Sequence, residues 1–256
     1  MTEAGFRIDV GEYRCIIVSD GTLVNQGAET LETFSLNCLF ITSGDHKILV
    51  DTGCGNVFQS TAGRLVKNLE AEGIKCQDID KIILTHGHID HVGGSFNAQG
   101  KPVFPNARYI TSDTEWKYWE TPPGDNELQN MFFNVARKNL LPIRSQFDLV
   151  KDDVEVLPGI KFIAAPGHTP GTVMVDIKSD GKRLLCIGDV IHSQREFTDP
   201  AYLSLFDVTP EQALKTRARI LSEVAESGVF VFACHFPFPG LGYIRRHKSV
   251  FAWHSI

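Results

Sequence analysis

Apolar residues in this chain fall in short runs separated by glycine, aspartate and serine, a rhythm suited to buried β-strands. In the first half it predicts strands over residues 13–19, 36–42, 47–51 and 81–85. Ser43-Gly44-Asp45-His46 is the turn between the second and third of these, with His46 exposed and inert. In the second half it predicts strands over 160–164, 172–177, 183–187 and 229–233, with a hairpin turn at Ser179-Asp180-Gly181. Helical spacing is found over 62–71, stopped at Gly73. It returns after Thr209-Pro210-Glu211, with Thr209 as N-cap and Pro210 in the first turn, and runs to about residue 226, before Gly228. Two halves of similar make-up emerge, and nothing in the sequence reads as a repeat, linker or low-complexity segment. One domain over 1–256 is expected.

Between the halves lies a helical insert at about 113–147 that the strands do not need. A short helix is expected at Asp113-Thr114-Glu115-Trp116-Lys117-Tyr118-Trp119-Glu120, broken by Thr121-Pro122-Pro123-Gly124-Asp125. A second is expected over 127–140, with Leu128, Met131, Phe132, Val135 and Phe133 on its apolar face, ended by Leu141-Pro142. Such an insert can roof an active site, with one or two of Trp116, Trp119, Phe132 and Phe133 lining an apolar pocket. The loop 25–34 is expected on the opposite side.

The strongest chemical signal is Thr85-His86-Gly87-His88-Ile89-Asp90-His91, which follows the apolar run Lys81-Ile82-Ile83-Leu84. Three imidazoles and a carboxylate on one loop offer nitrogen and oxygen donors suited to Zn²⁺ and related first-row ions. In extended backbone, residues two apart point the same way, so His86 and His88 can share one ion. Asp90 and His91 lie just beyond and can turn toward a second. Gly87 keeps the backbone slim, and Gly93-Gly94 lets the chain bend.

Three more donors follow apolar runs in the same manner. They are His168 in Ala165-Pro166-Gly167-His168-Thr169-Pro170-Gly171, Asp189 after Leu184-Leu185-Cys186-Ile187-Gly188, and His235 after Val229-Phe230-Val231-Phe232-Ala233-Cys234. Strand ends on one sheet edge are where α/β folds place their sites. Two ions in one pocket make hydroxide from water at neutral pH, so the expected activity is metal-dependent hydrolysis.

The order His-x-His-x-Asp-His at 86–91, then His168, Asp189 and His235, preceded by Val50-Asp51-Thr52-Gly53, resembles the metallo-β-lactamase-fold hydrolases over nearly the whole chain. The resemblance implies an α+β fold, a four-layer αββα sandwich. It places His86, His88 and His168 on a first Zn²⁺, Asp90, His91 and His235 on a second, and Asp189 between the two. It makes Asp51 the residue that orients a ligand histidine. Fe, Mn or Co suit the same donors.

A bridging Asp189 rather than a cysteine separates the chain from the best-known zinc β-lactamases. The closer likeness is to N-acyl-homoserine lactonases and methyl-parathion-hydrolase-like enzymes, the latter through Phe197-Thr198-Asp199-Pro200 and His235-Phe236-Pro237-Phe238-Pro239-Gly240-Leu241-Gly242. His192 stands where related lactonases often carry a tyrosine. The implied reaction is lactone or ester opening by a metal-bridging hydroxide, with N-acyl-homoserine lactones leading and quorum quenching as the role. Asp90 would pass a proton to the leaving alkoxide, and His192 would donate to the substrate or leaving group. The alternatives are a phosphotriesterase or arylesterase and, less favoured, a non-catalytic metal-binding scaffold.

Composition narrows the partners. At 43% hydrophobic residues the chain suits a folded core rather than disorder or membrane spanning. A net charge of −6 without a basic patch argues against nucleic acid. The first residues, Met1-Thr2-Glu3-Ala4-Gly5, lack a basic and apolar leader, and six cysteines without a C-x-x-C pair suit a reducing cytoplasm. Cys54 and Cys234 are expected to be packing residues. Phe236 and Phe238 suit a homodimer interface or a pocket wall equally well. His247 and His254 are expected to be structural or exposed.

Overall fold

Three buried apolar layers follow from the alternation of side chains along the strands. The structure, a computed structural model, describes residues 5–25, 32–56, 58–122 and 124–256. The first sheet runs, in both chain and spatial order, through β1 (Gly5–Val10), β2 (Tyr13–Asn25), β3 (Glu32–Ser43), β4 (His46–Val50), β5 (Lys81–Ile83), β6 (Arg108–Ser112) and β7 (Phe147–Val150). The second contains β8 (Glu155–Leu157), β9 (Ile160–Ala164), β10 (Val173–Ser179), β11 (Lys182–Cys186), β12 (Phe230–Phe232), β13 (Leu241–His247) and β14 (Val250–Ser255), also neighbours in sequence order. Strands β4 to β7 pair in parallel, as do β11 and β12; the other pairs are antiparallel.

Alternate residues face opposite sides of a strand, and the buried clusters follow that rule. Ile48 and Val50 of β4 face the layer between the sheets, while Leu49 faces outward to a helical layer. On the other sheet Leu184 and Cys186 face inward, while Leu185 and Ile187 face the opposite helical layer. The outer layer of the first sheet is covered by α1 (Leu65–Ala71), the single turn α2 (Ile89–Val92), α3 (Asp113–Glu120) and α4 (Glu127–Leu140). The second is covered by the short α5 (Arg195–Thr198) and by α6 (Pro210–Ser227), whose Ala213, Ile220, Leu221 and Val224 lie on one buried face. The architecture is an α+β sandwich of four layers, αββα.

Local chemistry sets the element ends. Helix α6 stops at Gly228, in the left-handed conformation at φ +62°. Thr209 precedes it, but its side chain makes no capping bond, and Pro210 opens the helix instead. Helix α1 begins at Leu65 rather than 62, because Gly63 lies at φ +76° and cannot continue a right-handed turn. Ser112 caps α3 by accepting from the backbone N–H groups of Thr114 and Glu115.

Several expectations are corrected. Helix α4 buries Phe132, Phe133, Ala136 and Leu140, whereas Leu128 and Met131 are exposed. The residues after His235 form the β13–β14 hairpin, with His247 and His254 exposed on it. Phe236 is core, packed on Phe197 and Trp253, and Phe238 packs against the inter-sheet cluster, so neither lines the pocket described below. Of the loop 25–34, residues 26–31 lie outside the described residues, and 32–34 belong to β3. No helix among the described residues is long and apolar enough to cross a membrane.

Candidate metal centre

Four strand ends converge on one carboxylate. His86 follows β5, His168 follows β9, Asp189 follows β11 and His235 follows β12. His88 is the last extended residue before α2, whose single turn carries Asp90 and His91, the His91 ring packing on that of His86 with centroids 4.0 Å apart. The ring nitrogens of His86, His88 and His168 lie within 4.8 Å of one another. A second group, His91, Asp189, Cys234 and His235, meets the same limit.

Asp189 joins the groups. Its Oδ2 is 3.0 Å from His235 Nε2, 3.3 Å from His168 Nε2 and 3.7 Å from His86 Nε2, while Oδ1 is 3.1 Å from His91 Nε2. Asp90 Oδ2 is 3.6 Å from both His91 Nε2 and His235 Nε2. All seven side chains named from the sequence are therefore brought together. Cys234 is more than a packing residue, since its thiol donates to Asp189 Oδ1 at 3.4 Å. Cys54 is buried in the interior as expected.

Each imidazole but one is held by its other nitrogen. His91 Nδ1 donates to Asp51 Oδ2 at 2.8 Å, His168 Nδ1 to Asp207 Oδ1 at 3.1 Å, and His235 Nδ1 to the Ser35 carbonyl at 3.1 Å. The Thr85 hydroxyl donates to Asp51 at 2.9 Å, which leaves its oxygen to accept from His86 Nδ1 at 3.2 Å. These partners fix the tautomers and turn the free nitrogens inward. Asp51 makes this bond to His91, the kind of contact the resemblance implied, at φ +62°, a conformation costly for most L-residues. Gly94 has an ordinary φ; a Cβ there would lie 2.0 Å from the Thr52 carbonyl, so close backbone contact rather than bending requires glycine.

The donor set fits divalent cations. His86 Nε2 and His91 Nε2 are buried without a hydrogen-bond partner although they face Asp189, an arrangement costly unless an ion satisfies them. His88 Nδ1 and His168 Nε2 face each other at 2.7 Å. Burial, with neighbouring imidazoles, pushes His86 and His88 well below the usual imidazole range, keeping both neutral and able to ligate. Burial also opposes charge on His91 and His235, but Asp189 and nearby acidic groups outweigh it and raise both. Burial likewise opposes charge on Asp189, yet His235, His91, His86 and His168 hold it well below the carboxylate range. Cation binding would release the protons held on His91 and His235.

Similarity to known proteins agrees with this geometry. The Metallo-beta-lactamase superfamily profile matches residues 32–235, which include every donor named above. The chain belongs to the metallo-β-lactamase superfamily. It is a hydrolase of that superfamily. Within it, an N-acyl homoserine lactonase of Bacillus cereus is 26% identical over 220 residues, spanning 77% of this chain and 80% of that protein. Among solved structures, the dizinc quorum-quenching lactonase AidC, in complex with a product N-hexanoyl-L-homoserine, superposes with a TM-score of 0.94 at 26% identity, covering 99% of this chain and 97% of that one. The hydrolase AbOPH superposes with a TM-score of 0.92 at 26% identity over 100% and 98%.

In this superfamily member the site opens into a pocket of about 290 Å³. Its floor is His88, Asp90, His168, Asp189 and His235, and its walls include Leu23, Phe34, Phe58, Ile89, Phe132 and Phe206. Phe132 lies with its ring centroid 4.7 Å from that of His88. Trp116 instead packs on Phe147 under Arg144, and Phe133 stacks on Trp119, so of the four candidate aromatics only Phe132 reaches this pocket.

His192 also faces the pocket, with Nε2 3.4 Å from Asp189 Oδ2 and without a hydrogen bond. Its Nδ1 is 3.2 Å from Glu196 Oε1, and Glu196 pairs with Arg217 at 2.8 Å. Arg217 reaches Asp207 at 3.3 Å, and Asp207 holds His168. The buried Glu196, Asp207 and Arg217 escaped the sequence reading.

Proposed function

We propose that this chain opens lactones or related carboxylic esters, with N-acyl-homoserine lactones as the leading substrates and quorum quenching as the role. The observation that carries this reading is a carboxylate, Asp189, shared by two donor groups at the floor of an apolar pocket. His86, His88 and His168 would hold one divalent ion, Asp90, His91 and His235 a second, and Asp189 both, with Zn²⁺ the leading identity. Ions bound there supply a nucleophile from water at neutral pH and draw charge from a carbonyl oxygen.

The chain's own residues supply the rest. His192, fixed at Nδ1 by Glu196, aims Nε2 into the pocket, where it can donate to the substrate carbonyl or leaving oxygen. Asp90, at the pocket floor, would take the proton that the attacking water gives up and pass it to the departing alkoxide. Phe132, Phe206, Phe34 and Leu23 present an apolar wall for an acyl chain and exclude water. The insert bearing α3 and α4 thus acts as the roof. The lactonase relatives at 26% identity support the same substrate class. Six free thiols suit a cytoplasmic site of action.

The test is proton release by the Zn²⁺-loaded protein on a long-chain N-acyl-homoserine lactone, with Asp189→Ala as control. Ring opening that the variant lacks is expected. A protein that holds two ions and leaves the lactone intact would overturn the substrate, and aryl esters or phosphotriesters would take its place.

A further inference from the structure

The geometry points to Glu115 as a positioning residue of the metal centre: it fixes the loop of His86 and His88 against the loop of His168 and so sets the affinity of that three-histidine half for its ion. This rests on the metal-centre reading above. Glu115 lies on α3 in the insert, is 2% exposed, and has no ion-pair partner among the described residues. A buried carboxylate is costly unless its lone pairs are filled.

Four donors fill them, three from the two loops and one, Trp119, from α3 itself. Oε1 accepts the Gly87 N–H at 2.8 Å and the Trp119 indole N–H at 2.6 Å. Oε2 accepts the Thr169 hydroxyl at 2.6 Å and the Gly171 N–H at 3.1 Å. Gly87 separates His86 from His88, and Thr169 follows His168 directly. One carboxylate therefore ties together two segments far apart in sequence at the point where His88 and His168 face each other.

Two glycines show independently how closely α3 is pressed against both loops. A Cβ at Gly87 would lie 2.2 Å from Trp119 Nε1, and one at Gly171 would lie 2.1 Å from the Glu115 backbone nitrogen. Neither glycine has a positive φ, so space rather than backbone freedom excludes a side chain. The second half of the centre has separate supports, Asp51 for His91 and the Ser35 carbonyl for His235. Neither touches Glu115. The effect of changing Glu115 should therefore be confined to one half.

Glu115→Gln keeps the shape but turns an amide NH₂ toward groups that themselves donate. The experiment titrates metal-free protein with Zn²⁺ alone, in competition with a chromophoric chelator. In a His235→Ala background, which isolates the His86–His88–His168 half, Glu115→Gln is expected to weaken Zn²⁺ binding by roughly 10- to 100-fold. In a His86→Ala background, which disables that half, the change is expected to stay within about twofold. Trp119→Phe and Thr169→Val each remove one donor from Glu115, and each should weaken the same half; they carry the test if Glu115→Gln does not fold. Equal weakening in both backgrounds, or a lower melting temperature with unchanged Zn²⁺ affinity, would reduce Glu115 to a core residue and overturn the assignment. A parent protein that binds no Zn²⁺ would instead overturn the metal centre itself, and this assignment with it.

Discussion

Thr85 and Asp51 are bonded three ways: the Thr85 backbone N–H donates to Asp51 Oδ1 at 2.9 Å, and its hydroxyl lies 2.9 and 3.1 Å from the two carboxylate oxygens. Asp51 also holds His91, so the end of β4 fixes the start of the histidine loop and a ring within it. Asp51→Ala should leave the Thr85 and His91 donors buried without partners, at about 1–3 kcal/mol each. It should also weaken binding in the His91–His235 half by roughly 10- to 100-fold. Urea unfolding and Zn²⁺ titration read the two effects separately. Unchanged affinity would remove Asp51 from the centre.

Asp189→Ala removes a carboxylate in contact with both donor sets. Loss of one or both ions is expected, together with nearly all turnover. Elemental analysis alongside a lactone assay checks it. Full activity with two ions retained would contradict the shared-carboxylate assignment.

Phe132 couples pocket shape to stability. The ring lines the site and also belongs to the core under α4, so Phe132→Ala should cost about 3–5 kcal/mol. It should raise KM for acyl substrates more than it lowers kcat, because the ring forms part of the wall against which the acyl chain packs. A fall in kcat with KM unchanged would place the ring in the chemistry instead.

Arg217 is buried between Glu196 and Asp207, and Arg217→Met should destabilise the fold by roughly 3–5 kcal/mol by taking from two buried carboxylates the guanidinium they share. Burial opposes charge on Glu196, but His192 and Arg217 outweigh it and hold its pKa at about 2, below the ordinary 4.5. A lowered carboxyl pKa contributes stability above pH 4.5 that is lost as pH falls from 4.5 toward 2. In metal-free Arg217→Met that loss should be smaller and complete at a higher pH, which urea unfolding across the acid range would reveal. An unchanged acid profile would show that Arg217 does not hold Glu196 ionised.

The donor set was legible in the chain because it obeys local rules. A strand ends, a histidine or aspartate follows, and spacing within 86–91 separates the two groups. The supports were not legible. Glu115 and Arg217 are ordinary helix residues in sequence, and their roles arise from partners brought in by tertiary packing. Strands β13 and β14 were missed for another reason. Arg245, Arg246, His247 and Lys248 make the segment look like a charged tail, yet this edge hairpin needs burial on only one side. Leu128 and Met131 misled because helical spacing gives a stripe but not which neighbour will cover it.

Each half of the chain owns only part of each donor group. His86 and His88 come from the first seven strands and their connections and His168 from the second; His91 comes from the first, Asp189 and His235 from the second. Ions seated there would be staples across the seam between the two sheets, binding only when both sides are in place and adding their binding free energy to the cohesion of the sandwich. The two halves, produced as separate polypeptides, would then find each other more readily with Zn²⁺ than without it.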